Sequence, residues 1–281
     1  MFNLKEENKI LTLTGLNRFS IDKIFDCGQC FRFDPKDNGI EGVAHGRLLR
    51  FEQPSPDTVV IKGITAKEFN EIFCRYLALD CDYEAVDKDI LTRLNNDDTI
   101  RKAMEYGSGI RILRQDSWEA LCSFIVSQNN NIPRIKKIIN SLSKEFGEHI
   151  EGEYYTFPTA EALAAAGTDK IFELKTGFRA KYIYDAAEKV ASGKIDLKAV
   201  DEMTTAQAID YLMQIKGVGL KVASCALLFG FDKTDAFPVD VWVKRVLEKY
   251  YPNGLDLTNL GAFAGMIQQY LFYYERYMQS L

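Results

Sequence analysis

The stretch LMQIKGVGLKVASCALLFG, residues 212–230, decides the fold. A helix-periodic apolar run ends near Ile215. Lys216-Gly217-Val218-Gly219 follows as a tight turn, and a second helix is predicted from about Leu220. The two glycines admit backbone conformations and close approaches that a Cβ would hinder. Val218 between them can anchor the turn to a core. Amide groups at such a turn, beside a helix N-terminus, make a ready phosphate site that needs little side-chain charge. Taken alone, the segment also suits an ordinary helix–turn–helix with glycines for geometry.

The neighbours sharpen this. Lys221 falls in the first turn of the second helix, where the dipole favours negative groups and a cation is misplaced. A neutral amine is what a lysine nucleophile requires. By itself, Lys221 reads better as a solvated or phosphate-binding lysine. Asp240, in FPVDVWVKRVLEKYY, stands immediately before a predicted helix as its N-cap. A carboxylate there can cap the helix and still face a cleft, where it would stabilise positive charge developing on a sugar. Pro238 stiffens the approach to it.

The bulk properties bound the answer. The 281 residues are 47% hydrophobic and 12% aromatic, so they can bury a sizeable core rather than stay disordered. No run is long and apolar enough for a bilayer, and MFNLKEENKI lacks the apolar centre of a signal peptide. A soluble intracellular protein is expected. The net charge of −5 and pI near 5.3 point, by themselves, away from nucleic acid. Phosphate contacts, however, need only a locally basic surface and backbone amides.

Six cysteines (Cys27, Cys30, Cys74, Cys81, Cys122 and Cys225) are scattered, as expected of reduced thiols. Cys27 and Cys30 form a CxxC pair that could ligate zinc or act as a redox pair. A closed zinc site wants a second pair of ligands, which His45 and His149 do not supply by spacing. Cys74 and Cys81 are a loose second pair, so zinc stays open at this point.

Along the chain, CFRF at 30–33 and RLLRF at 47–51 read as strands, and TVVIKG at 58–63 follows the turn signal PSPD as the second arm of a hairpin. From Thr65, TAKEFNEIFCRYLAL switches to a helical period. Ser117 is the expected N-cap of WEALCSFIVSQ, and Pro133 suits the first turn of IPRIKKIINSLSKEF. Further helices are predicted near 180–191, 205–213, 220–229, 241–250 and 258–277. The expected fold class is α+β: an N-terminal antiparallel β-sheet domain with helices, residues 1–108, then a mainly helical body, 109–281, with the hairpin motif near 205–230.

On these residues the chain resembles the helix–hairpin–helix DNA glycosylase superfamily, and within it the 8-oxoguanine DNA glycosylase/AP lyases. The resemblance spans nearly the whole sequence in several separated segments. It implies a bifunctional enzyme that flips 8-oxoguanine out of duplex DNA, releases it and cuts the strand. Lys221 resembles the nucleophile that attacks deoxyribose C1′ and forms a Schiff base, and Asp240 the catalytic aspartate. In GQCFRF, 28–33, the Gly28 carbonyl would accept from N7–H of 8-oxoguanine, a proton guanine lacks. This gives the Cys27/Cys30 region a role without metal. In SQNNNIPRI, 127–135, Asn129 would fill the gap left by the flipped base and Arg134 would read the opposing cytosine. In GFRAKY, 177–182, Arg179 would contact the estranged cytosine with Phe178 wedged beside it.

In IQQYLFYYER, 267–276, Gln268 and Phe272 lie four apart, on one helix face. Gln268 would bond the base's Watson–Crick edge while Phe272 stacks on its plane, and Cys225 would cover the other face. By pattern alone Phe272 and Cys225 suit plain core. Gly217 and Gly219 would hold a DNA phosphate. Two departures stand out. Trp242 occupies a place where better-known eukaryotic members carry histidine, so the local phosphate or pocket contact is not implied. Phe178 replaces a tyrosine, so strict choice of cytosine opposite the lesion is not implied either.

No cysteine follows Cys225, so the iron–sulfur cluster of some superfamily members is not expected. Nor is any metal or other cofactor. The expected partner is double-stranded DNA containing 8-oxoguanine. The protein is expected to act as a monomer, away from membranes, in the cytoplasm at the nucleoid, or in the nucleus of a eukaryote. Two rivals remain: a glycosylase for alkylated or mismatched bases, and a non-enzymatic helix–hairpin–helix binding module.

Overall fold

A computed structural model describes residues 2–94 and 97–278, less the side chain of residue 259. Its first part is an antiparallel sheet of six strands: β1 (Asn3–Glu7), β2 (Ile10–Thr14), β3 (Phe33–Lys36), β4 (Gly39–Ala44), β5 (Arg47–Ser55) and β6 (Thr58–Lys62). Their order across the sheet is β1-β2-β6-β5-β4-β3. Strict alternation sets one face inward: Leu11 and Leu13 of β2 pair with Ile61 and Val59 of β6, and Phe51 of β5 pairs with Ile61. That face packs on Ile24 and Phe25 of the helix Ile21–Asp26 and on Phe69, Phe73 and Leu77.

The expected hairpin is β5–β6, with a register shift between Glu52 and Ser55. CFRF is not a strand as expected: only Phe33 enters β3, and Phe31 turns instead into the helical core. The helical run from Thr65 is broken, because a π-helical turn, Phe69–Phe73, separates Ala66–Glu68 from Cys74–Tyr76.

The body is helical: Ser117–Ser127, Ile132–Phe146, Ala160–Ile171, Ala180–Ala191, Thr205–Leu212, Leu220–Gly230, Val241–Tyr250 and Ala264–Met278. The helix at 117 is capped one residue earlier than expected. Asp116, not Ser117, accepts from the Glu119 amide at 2.9 Å, adding a favourable charge at the positive end of the dipole. The first helix of the hairpin stops at Leu212 rather than Ile215, and Thr204 and Gln207 close a reciprocal capping box at its start.

The helices between 117 and 230 share one core. A separate core joins Val246, Ile267, Tyr270 and Leu271 to Tyr83, Ile90, Ile100 and Met104, so residues on both sides of position 108 build it. The last helix therefore returns to the early helices and lies beside the loop after Asp26. Among the described residues no helix is long and apolar enough to cross a membrane.

Candidate active site

The hairpin is held by hydrogen bonds that join it to the helix Ala180–Ala191. Asp185 Oδ2 accepts from the Lys216 amide and from Lys189 Nζ, each at 2.7 Å, and Lys189 also donates to the Gln214 carbonyl at 2.7 Å. Its two glycines have different reasons to be glycine. Gly217 has φ +80°, and a Cβ there would meet the Tyr182 ring at 2.4 Å. Gly219, the N-cap of Leu220–Gly230, has φ −104°, and a Cβ would meet nothing within 4 Å. The chain's own packing demands Gly217 but not Gly219.

Lys221 opens into a cleft of about 1130 Å³ between the hairpin, the 127–135 segment, the Gly28 loop and the last helix. Its Nζ donates to Ser127 Oγ at 3.1 Å and lies 5.5 Å from the centre of the Phe124 ring, which is stacked on Phe229 at 5.3 Å. Asp240 lines the same cleft and caps the helix Val241–Tyr250. Both capping amides, Trp242 at 2.9 Å and Val243 at 2.8 Å, go to Oδ1. Burial pushes the Asp240 carboxyl above its ordinary range, and the two amides, Lys221 and Arg276 oppose that rise without cancelling it. Burial also raises the Cys225 thiol to about 11, with Lys221 pulling the other way.

The far wall is built from opposite ends of the sequence. Gly28 has φ +76°, and a Cβ there would approach Phe272 Cζ to 3.1 Å, so glycine is required both by the turn and by the ring beside it. The loop is pinned from two sides. Gln29 is fully buried; its Nε2 donates to the carbonyls of Ile24 and Arg111 at 2.9 and 2.8 Å, and its Oε1 accepts from the Leu113 amide at 2.8 Å. Gln269 of the last helix donates to the Cys27 carbonyl at 2.6 Å. Cys225, Gln268 and Phe272 all line the cleft and are 5%, 4% and 9% exposed, so each is nearly core yet faces the opening. Gln268 Oε1 is buried without a hydrogen-bond partner, an arrangement that costs free energy until a donor arrives.

Asn129, Phe178, Gly219 and Trp242 also line the cleft. Asn129 holds a left-handed backbone, φ +46°, on the loop between two helices. Phe178 is 46% exposed on the rim. The Trp242 ring lies 4.6 Å from the Arg245 guanidinium. Arg134 is exposed just outside, beyond the Asn131 cap.

Arg179 is not where the sequence reading puts it. It is 2% exposed and turned inward, donating to the carbonyls of Gln128, Asn129 and Thr176, with the Asn129 bond at 2.8 Å. These bonds to backbone carbonyls tie the 127–131 loop to the 176–179 turn. Gly217 too stays out of the cleft, against Tyr182. Sequence reasoning missed Ser127, Gln29 and Gln269.

Cys27 and Cys30 are buried thiols, and burial pushes Cys27 to about 12 and Cys30 well up. Among the described residues no three His, Cys, Asp or Glu side chains are grouped for a metal ion.

Residues 12–121 match the model of the 8-oxoguanine DNA glycosylase N-terminal domain, and residues 122–256 that of the HhH-GPD superfamily base excision DNA repair proteins. The solved structure of MBOgg1 in complex with a low affinity DNA ligand superposes with a TM-score of 0.93 at 39% identity, covering 99% of both chains. The chain belongs to the 8-oxoguanine DNA glycosylase family. The glycosylase/lyase of Clostridium acetobutylicum, solved with double-stranded DNA containing cytosine opposite 8-oxoG, superposes at 0.91 with 35% identity over 99% of this chain and 98% of that one. The N-glycosylase/DNA lyase of Saccharomyces cerevisiae is 42% identical over 167 residues, 54% of this chain. This member of the 8-oxoguanine glycosylase family spans only 44% of that yeast relative's length. For the family, an acidic net charge is no obstacle here: Asp240 is the one carboxylate among the described residues lining the cleft, against Lys221, Lys244 and Arg276.

Proposed function

We propose that this protein is a bifunctional DNA glycosylase/AP lyase that extrudes and excises 8-oxoguanine from duplex DNA. The observation that carries this reading is that a half-buried amine, Lys221, shares one cleft with a buried acceptor, Gln268 Oε1, that awaits a donor. A purine edge bearing N1–H supplies that donor, and the ring fits between Phe272 and Cys225. The Gly28 carbonyl then takes N7–H, which separates the lesion from guanine. A base hidden in a duplex reaches such a cleft only by flipping. Asn129 fills the gap it leaves, Phe178 wedges the opposing strand, and Arg134 and Trp242 meet DNA at the rim. Arg179 acts here through the loop it clamps.

Chemically, the Lys221 lone pair forms the Nζ–C1′ bond as the C1′–N9 bond breaks, its electron pair leaving with the base, which takes up a proton. Asp240 offsets the positive charge that develops on the sugar. The amine sheds a proton, the sugar ring opens and a Schiff base remains. Loss of a C2′ proton then lets the C3′–O bond break, its pair departing on the phosphate. Covalent attachment divides one hard displacement into easier steps. No cofactor enters. Such an enzyme works as a monomer on the genome, in the nucleoid of a prokaryote or the nucleus of a eukaryote.

The test is excision under single-turnover conditions from matched duplexes holding 8-oxoguanine, guanine or an alkylpurine, with borohydride present. Release of 8-oxoguanine with a covalent adduct supports the reading. Preference for the alkylpurine, or binding without adduct, overturns it.

The hairpin glycines give a second test. Gly217→Ala drives a Cβ into Tyr182 from a left-handed backbone and is expected to destabilise the fold by about 1–3 kcal/mol. Gly219→Ala meets no protein atom, so thermal stability should hold while duplex affinity falls roughly tenfold, the worth of a charge-assisted phosphate contact. Equal melting losses in the two variants would remove Gly219 from the DNA interface.

A further inference from the structure

We infer that Ser127 is the positioning residue of the Lys221 amine; this rests on Lys221 being the nucleophile. Ser127 is the last residue of the helix Ser117–Ser127. Its hydroxyl proton is already committed, because Oγ donates to the Phe124 carbonyl at 2.8 Å. The oxygen therefore offers only lone pairs to Lys221 Nζ, 3.1 Å away. An ammonium group and a neutral amine both keep N–H bonds to give, so this contact survives deprotonation. Once neutral, an amine that gives one N–H to Ser127 has its lone pair directed away from that oxygen. A hydroxyl free to turn could instead donate to the lone pair and quench it; the bond to Phe124 prevents this.

The second constraint on the amine comes from the same helix. The Phe124 ring, three residues before Ser127 and so on the same face, lies 5.5 Å from Nζ and is itself stacked on Phe229. A lysine side chain carries about 2 kcal/mol of rotamer entropy, and two fixed neighbours remove much of that search before substrate arrives. Ser127 also begins the loop whose Gln128 and Asn129 carbonyls Arg179 holds. The loop that enters the duplex and the amine that attacks the sugar therefore share one residue. A serine that merely ended a helix would need the bond to Phe124 but not the one from Lys221.

The experiment compares wild type, Ser127→Ala, Ser127→Thr and Lys221→Gln by single-turnover borohydride trapping on a duplex with a preformed abasic site. Duplex Kd and melting temperature are measured alongside. Ser127→Ala is expected to slow trapping about tenfold with Kd unchanged, and Ser127→Thr, which keeps the hydroxyl, to restore the rate to within about threefold. Trapping at the wild-type rate by Ser127→Ala, or equal slowing by Ala and Thr, overturns the inference while the role of Lys221 stands. Adduct formation by Lys221→Gln overturns that role, and this inference with it.

Discussion

Lys221→Gln should abolish the covalent adduct and reduce both base release and strand cleavage by roughly 10³-fold or more, the scale seen when a covalent nucleophile is removed. Glutamine is uncharged, polar and only one bond shorter, so the cleft should survive and duplex binding should persist. The measurement is single-turnover excision on an 8-oxoguanine duplex, read with and without borohydride. Because the amine sits beside Phe124, Ser127 and Cys225, no neighbouring side chain in that cluster is an amine that could take over. Full-speed base release from the variant would end the mechanism. Release without nicking would leave a glycosylase that uses water instead.

Asp240→Asn separates charge from architecture. Asparagine caps a helix as well as aspartate does, so the bonds to the Trp242 and Val243 amides can be kept. What is lost is the negative charge facing the sugar, and excision should fall by about 10²- to 10³-fold. Stability should move the other way. Burial holds the Asp240 carboxyl above its ordinary range in the fold, so the folded state binds this proton more tightly than the unfolded chain. The charged form consequently destabilises the fold at neutral pH. That penalty grows as pH rises from the ordinary carboxylate range through the raised value, and vanishes below both. Asp240→Asn should melt slightly higher than wild type at pH 7, with the gap closing as pH falls into the ordinary carboxylate range. Wild-type activity should fall on the acid side as Asp240 takes up its proton, and the variant should show no such limb. A variant of undiminished activity, or one that melts several degrees lower, contradicts this account.

How much of this was legible in the sequence depended on whether the signal was local. The hairpin, Lys221 and Asp240 were readable because glycine spacing, helix period and a capping carboxylate are all properties of neighbouring residues. The β5–β6 hairpin was readable from its β-forming runs and the PSPD turn signal. β1 was not: NLKEE has little apolar content, and it pairs only because β2 offers an edge beside it. The π turn at Phe69–Phe73 keeps a helical apolar pattern and so left no trace.

In the site, the misses are long-range polar contacts. Gln269 reaches a carbonyl 242 residues earlier, and Gln29 reaches Arg111 and Leu113 across more than 80. Nothing periodic marks such residues. Ser127 was inside a quoted motif, yet its value lies in meeting Lys221 from another helix. Arg179 shows a different limit. The sequence supplies a guanidinium beside the loop, but only the loop's fold decides that its donors turn to backbone carbonyls.

The proposed reading groups and the proposed reacting groups come from different stretches of chain. Gly28 is near the start, Gln268 and Phe272 are near the end, and Lys221 and Asp240 lie between. The helix bearing Gln268 also supplies Ile267, Tyr270 and Leu271 to a core shared with early helices. A premature stop before Ala264 would thus delete the proofreader and a wall of that core in one stroke. The reactive amine would be lost with the collapsed scaffold rather than set loose on undamaged bases.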